Sequence, residues 1–451
     1  MKQIDLFAFD MNCVGHIQQG MWRHPRDRSD RYNTLEHWTS LARLLEDGRF
    51  AGLFLADVLG VYDVLGGSPA AALSHAVQVP LNDPMLVIPA MAAVTKDLGF
   101  AVTANTSYEA PYLLARRLST LDHLTGGRIG WNVVTGYLDS AARAMGQDAQ
   151  RAHDDRYDVA DEYLAFIYQL WEQSWADDAV LKDRAQDVFA DPAKIRPARI
   201  AGKYMSMQGV HLCEPSPQRT PVLFQAGASS RGQRFAATHA ECVFVNATSR
   251  PAVAETVRNL RRAVAEAGRV PAHLKVYVGA TVVTAATDAE ARDRREEYER
   301  YASKRGALAH AAASLGLDFD AYGPDDPIGA VTSNAIRSNL DAARKAQPAF
   351  TTRGFIDRLQ LGGRQTPIVG SGETVANELE AWVTEADVDG FLFARTVTPE
   401  CFESLIENVV PILQRRGLQR TGYAPGTLRQ KLFPAGTARL PSAHPARALR
   451  A

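Results

Sequence analysis

Short apolar runs alternate with longer amphipathic stretches along most of this chain. The runs at 4–9, 51–56, 98–104, 128–134, 221–225, 242–245, 274–284 and 390–393 read as strands. They are apolar on both faces, the profile of parallel strands covered by helices. Between them, 33–47, 83–96, 111–124, 153–171, 229–238, 251–267, 288–305, 372–386 and 399–416 read as helices. In the first of these Leu35, Trp38, Leu41, Leu44 and Leu45 share one face. The stretch LSTLDHLTGGRIGWNVVTG at 118–136 compresses the whole pattern: a helix end, a Gly126-Gly127 stop, then a strand closing in small and polar residues. Other strands end likewise, in FLAD (54–57), FAVTANT (100–106), VLFQAG (222–227) and GFLFAR (390–395). This alternation predicts an α/β fold, a (β/α)8 TIM barrel with insertions, with its site at the carboxyl ends of the strands.

The remaining segments are read around that frame. Residues 58–82, rich in Gly, Ala and Pro, form a connection expected to fold over the site. Insertions are expected at 172–220 and 306–367, the latter helical, without a core of its own and capping the barrel. The tail 417–451, rich in Arg, Pro and Gly, is expected to wrap the barrel or a neighbouring subunit, and the whole of 1–451 to form one domain.

Charge and cysteine content narrow the function classes. With 50 basic and 51 acidic residues the formal charge is -1, so no global field favours nucleic acid or an anionic membrane. The four cysteines are too scattered for a disulfide scaffold. Neither a secretory leader nor a run of membrane-spanning length is evident, so a cytoplasmic protein is expected.

Candidate chemistry gathers at the strand ends. Cys13, His16 and His24 follow the first strand, but Cys-x2-His lacks a partner set, and no metal is expected. Cys13 reads either as a buried small residue or, with His16 and Tyr62, as part of a substrate pocket. His16 is the candidate for positioning a polar group or carrying a proton, since an unperturbed imidazole titrates near neutrality. Asp57 at a strand's end has no place in an apolar interior and should face the cavity. Thr103 is strand filler or a ligand contact. His153 and Tyr157, four apart, share a helix face. In QAGASSRGQRFA (225–236) a strand ends and Ser229 opens a helix whose free N–H groups suit a phosphate, with Arg231 or Arg234 assisting or facing solvent. No G-x-G-x-x-G follows a strand and no Walker motif is present. Gly362-Gly363 reads as a turn.

The motifs MNCVGH (11–16), MWRHP (21–25), FLAD, NDPM (82–85), RRLSTLDHLTGGRIGWNVVT (116–135), HDDRYDVADEYL (153–164), LCEPSPQRTPVLFQAG (212–227), DGF (389–391) and KLF (431–433) resemble the bacterial luciferase-like flavin monooxygenases. The resemblance runs over nearly the whole chain and is nearest the branch of nitrilotriacetate, dibenzothiophene-sulfone and long-chain alkane monooxygenases. It implies a homodimeric or homotetrameric enzyme that receives FMNH2 from a separate NAD(P)H-dependent flavin reductase. O2 would react through a flavin C4a-(hydro)peroxide, and one oxygen atom would enter a small organic substrate. By motif position Asp57, Thr103, His153, Tyr157 and Ser229 would contact FMN, with Ser229 at the phosphate. Cys13, His16, Tyr62, Gln78 and His310 would face the substrate, His16 and His310 managing protons. Tyr137 stands where the alkane enzymes have a histidine beside the flavin. Gly136, Ala144-Met145 and the segment around His310 depart from the pattern too, so an alkane substrate does not transfer. Cleavage of a heterocycle such as riboflavin, an F420-dependent dehydrogenase and a non-catalytic flavin-binding protein are the alternatives.

Overall fold

Eight parallel strands close on themselves in the computed structural model, which describes residues 2–227, 229–246, 249–328 and 350–448. They are β1 (Asp5–Met11), β2 (Gly52–Ala56), β3 (Gly99–Asn105), β4 (Ile129–Val134), β5 (Val222–Gln225), β6 (Cys242–Asn246), β7 (Lys275–Ala280) and β8 (Gly390–Ala394). Each pairs with the next, and β1 closes the ring against β8, with Phe7 opposite both Leu392 and Gly52. The TIM barrel read from the alternation is therefore the fold. Among the described residues no helix is long and apolar enough to cross a membrane.

The barrel interior is filled by aromatic rings. Phe7 meets Phe224 at 5.7 Å and Tyr277 at 5.2 Å between centroids, and Phe54 meets Phe224 at 5.7 Å. Rings this large fit because neighbouring strands offer glycine. A Cβ at Gly130 would sit 2.7 Å from the Phe224 ring, so any side chain there would displace it.

Two elements differ from the sequence expectation. The apolar run 274–284 is not one strand: β7 stops at Ala280, and Val282–Ala285 leaves the barrel to pair in parallel with Ile368–Ser371. The break lies at Thr281, whose hydroxyl accepts from Gln18 Nε2 (2.7 Å) and whose carbonyl accepts from Ile368 N (2.8 Å). Both pieces are buried, so hydropathy alone carries no sign of the change of partner. The helix expected over 288–305 ends at Glu299, and a second helix, Lys304–Leu315, starts at the Ser303 cap.

Residues 172–220 contain two antiparallel hairpins, Val180–Asp183 with Val188–Ala190 and Ala198–Ala201 with Ser206–Gly209. Within 306–367, residues 329–349 lie outside the described part. The flanking Leu308, Leu315, Phe319, Phe350 and Phe355 join Tyr62, Leu65, Ala72 and Val77 in one apolar cluster above the barrel mouth. The connection after β2 and the late insertion thus build a single roof that neither could form alone. At the opposite end the tail helix Leu428–Leu432 seals the amino ends of the strands. Leu428 and Leu432 pack with Phe7, Phe224 and Tyr277, and a Cβ at Gly99 would lie 2.5 Å from Leu428 Cδ1. Between them Arg429 is buried against Glu241 (2.7 and 2.9 Å).

Candidate active site

The segment after β1 carries Cys13 and His16, and Arg395, just beyond β8, holds it in place. The Arg395 guanidinium is ion-paired with buried Asp10 and donates to the carbonyls of Cys13 and Val14, each at 2.8 Å. His16 is 2% exposed, stands edge-on to Phe9 at 4.6 Å, and leaves Nδ1 with no partner. Burial, then Arg395 and His310, push its imidazole well below the ordinary range. Cys13 donates its thiol to the Gly15 carbonyl at 3.1 Å, and burial pushes it up to about 12, so it is a neutral packing group and not a thiolate.

The connection after β2 returns across His16. Gln78 takes a left-handed backbone (φ 52°), a strained conformation for a side chain of its size. Its backbone N–H bonds the Gly15 carbonyl (2.9 Å) and its Nε2 the His16 carbonyl (3.1 Å). Tyr62 donates its hydroxyl to Gln78 Oε1 at 2.6 Å and lies 2.9 Å from the Tyr137 hydroxyl. Since Tyr62 has one proton, Tyr137 is the donor of that second bond. Gln78 Nε2 also faces His310 Nε2 at 3.5 Å, and the His310 and Tyr62 rings meet edge-on at 5.5 Å. Burial, and then Arg364, push His310 down to about 3. Cys13, His16, Tyr62, Gln78, Tyr137 and His310 therefore form one connected cluster from four separate chain segments. Burial thus favours the neutral form of both imidazoles.

A cleft of about 570 Å³ opens beside this cluster, lined by Asp57, Leu59, Asn82, Asp83, Thr103 and Tyr108 among others. Burial and the nearby Asp83 carboxylate push Asp57 up to about 7. Thr103 Oγ1 accepts from Asn132 Nδ2 at 2.9 Å, leaving buried Asn132 Oδ1 unpartnered. His153 and Tyr157 stack edge-on at 5.4 Å. Ser229 caps the helix Ser230–His239, accepting from Gly232 N at 3.0 Å, and its hydroxyl also hydrogen-bonds the Tyr157 side chain. Gly227 and Gly232 come so close to the Tyr157 hydroxyl that a Cβ would sit 2.8 and 2.7 Å from it. Arg231 lies over the Tyr157 ring at 5.4 Å and is ion-paired with Asp158 and Asp161. Among the described residues no three His, Cys, Asp or Glu side chains gather as metal ligands.

This half of the site fits a flavin mononucleotide. Buried Asn132 Oδ1 and Gln225 Oε1 have no partner, as acceptors awaiting ring N–H donors would. Beyond the Ser229 cap, the first turn of the helix Ser230–His239 is the kind of helix start that suits a phosphate. Sequence reasoning missed Asn132, Gln225 and Arg364. The first two are polar positions inside otherwise apolar strands, a signal that was available. Arg364 sits in an aperiodic turn that gives none.

Residues 15–390 match the family described as luciferase-like monooxygenase. The chain is 48% identical over 447 residues to dimethyl-sulfide monooxygenase of Hyphomicrobium sulfonivorans, covering 99% of this chain and 93% of that protein. It is 46% identical over 444 residues to long-chain alkane monooxygenase of Geobacillus thermodenitrificans, covering 98% and 97%. A solved riboflavin lyase with modified FMN and riboflavin superposes with a TM-score of 0.94, at 36% identity and full coverage of both chains.

Proposed function

Because the chain belongs to the luciferase-like monooxygenase family, we propose that its cavity divides into a flavin side and a substrate side. The protein is an FMN-dependent monooxygenase that inserts oxygen from O2 into an organic substrate. When bound, reduced FMN supplies the two electrons that let O2 give one atom to substrate and the other to water. Asp57, Thr103, His153, Tyr157 and Ser229 hold the cofactor, with the Ser229 hydroxyl and the helix N–H groups on its phosphate. Cys13, His16, Tyr62, Gln78, Tyr137 and His310 form the substrate wall. The apolar roof over that wall keeps water out.

The observation that carries this division is the buried, unpartnered Nδ1 of His16, fixed by the bonds to its own carbonyl. As a neutral imidazole it offers Nδ1 as a hydrogen-bond donor or acceptor without adding charge to the cavity. His16→Asn keeps a polar group there and removes the ring. With a flavin reductase, NADH and O2, the variant is expected to bind FMNH2 as the wild type does. Less product should form per NADH consumed, the difference appearing as hydrogen peroxide. Normal coupling would remove His16 from this role. The assay is run as a substrate screen and also scores riboflavin cleavage, the reading favoured by the likeness to riboflavin lyase.

The absence of a nicotinamide fingerprint supports a separate NAD(P)H-dependent reductase as the source of FMNH2. The four unpaired thiols suit a cytoplasmic setting. A homodimer or homotetramer is the proposed assembly, read directly by light scattering.

A further inference from the structure

The turn at 360–365 lies across the barrel mouth and is pinned on both sides of Arg364. Gln360 and Gly363 exchange backbone hydrogen bonds (3.0 and 2.8 Å), and Gly362 accepts from Gln19 N at 3.1 Å. Gly362 has φ 71°, and a Cβ there would fall 2.1 Å from the Gln19 carbonyl, so the turn cannot lift without losing this contact. Leu361 is anchored in an apolar cluster with Met21, Val283 and Val397. On the other side the Gln365 amide approaches Gly279 of β7.

The turn thereby holds Arg364 beside the substrate wall, since Gln19, on which it rests, donates Nε2 to the His16 carbonyl at 2.5 Å. It is solvent-accessible and at the same time surrounded by protein, the combination of a side chain in a concave part of the surface. Its charge acts on Tyr62, Tyr137 and His310 and on no carboxylate. Among the described residues it has neither an ion-pair nor a hydrogen-bond partner. Arg395, by contrast, is fully engaged by Asp10 and two carbonyls. A guanidinium enclosed by protein without a counter-charge is open to an anionic partner, and its planar fork matches an oxyanion. A pure hydrocarbon would leave that charge unmet.

We propose that Arg364 anchors the substrate, and that the substrate is a small organic molecule bearing a carboxylate or sulfonate. The oxyanion docks on the guanidinium, which places the carbon or heteroatom to be oxygenated toward the flavin side. This rests on the substrate side assigned above.

The test uses the full-length protein loaded with FMNH2 under anaerobic conditions. Binding of 3-(methylthio)propanoate and 3-(methylthio)propane-1-sulfonate is compared with that of their methyl esters by titration calorimetry. The acids are expected to bind more tightly than the esters. Arg364→Met should weaken the acids by about 10–100-fold, the range for a hydrogen bond to a charged group. It should leave ester and FMNH2 affinity unchanged, while Arg364→Lys retains part of the preference. Retained FMNH2 binding also reports that the variants fold. Equal binding of acid and ester, no binding of either acid, or acid binding unaltered by Arg364→Met would overturn the proposal. So would loss of FMNH2 affinity in that variant, which would give the arginine to the cofactor. Acid binding through Arg364 without O2-dependent product would instead sustain the anchor and refute the substrate-side oxygenation.

Discussion

Asp57 is the residue whose environment most changes its chemistry. Burial and Asp83 push its carboxyl up to about 7, so the folded protein holds a proton there that the unfolded chain releases near pH 4. The sign follows: this group adds stability that is complete below about pH 4 and is lost as pH rises through about 7. Urea unfolding of wild type and Asp57→Asn across pH 5–8 should show the wild type losing ground to the variant as pH rises. A constant difference would mean Asp57 does not titrate in that window. At this scale the sequence was informative wherever a polar residue closed an apolar strand, as at Asp57. It was silent where an ordinary residue was altered by neighbours from distant segments. His16 is pushed toward its neutral form by burial first and then by Arg395 and His310, and no local pattern around position 16 contains any of these.

At the scale of elements, the Arg395–Asp10 pair joins the last barrel strand to the first and fixes the loop that carries His16. Both partners are buried, so removing one leaves an uncompensated charge, a loss of about 3–5 kcal/mol. Arg395→Gln should therefore lower the urea midpoint strongly, and adding Asp10→Asn should recover part of that loss. A single variant as stable as wild type would show the pair to be dispensable. The strands were legible because each is a short apolar run between amphipathic stretches. The exchange of partners at Thr281 was not, because a buried strand looks the same in either sheet. The hairpins of 180–209 were missed for the opposite reason: nearly all their residues are exposed or only half-buried, so no apolar alternation marks them.

Taken as a whole, the molecule has a barrel mouth roofed by two separate insertions. A reduced cofactor delivered by diffusion should bind more tightly than the oxidised form, and the purified protein should be nearly colourless. Equilibrium titration of FMN and of FMNH2 checks this, and stoichiometric yellow FMN with direct NADH oxidation would contradict it. The floor of the barrel has a consequence of another kind. Leu428 and Leu432 complete the packing around Phe7, Phe224 and Tyr277, yet they follow the last barrel strand in the chain. Until they are made the aromatic interior is a cup without a base, and even ring closure of β1 on β8 waits for residue 394. A nascent chain must shelter that opening until this helix arrives. Truncated products should be the species that chaperones retain.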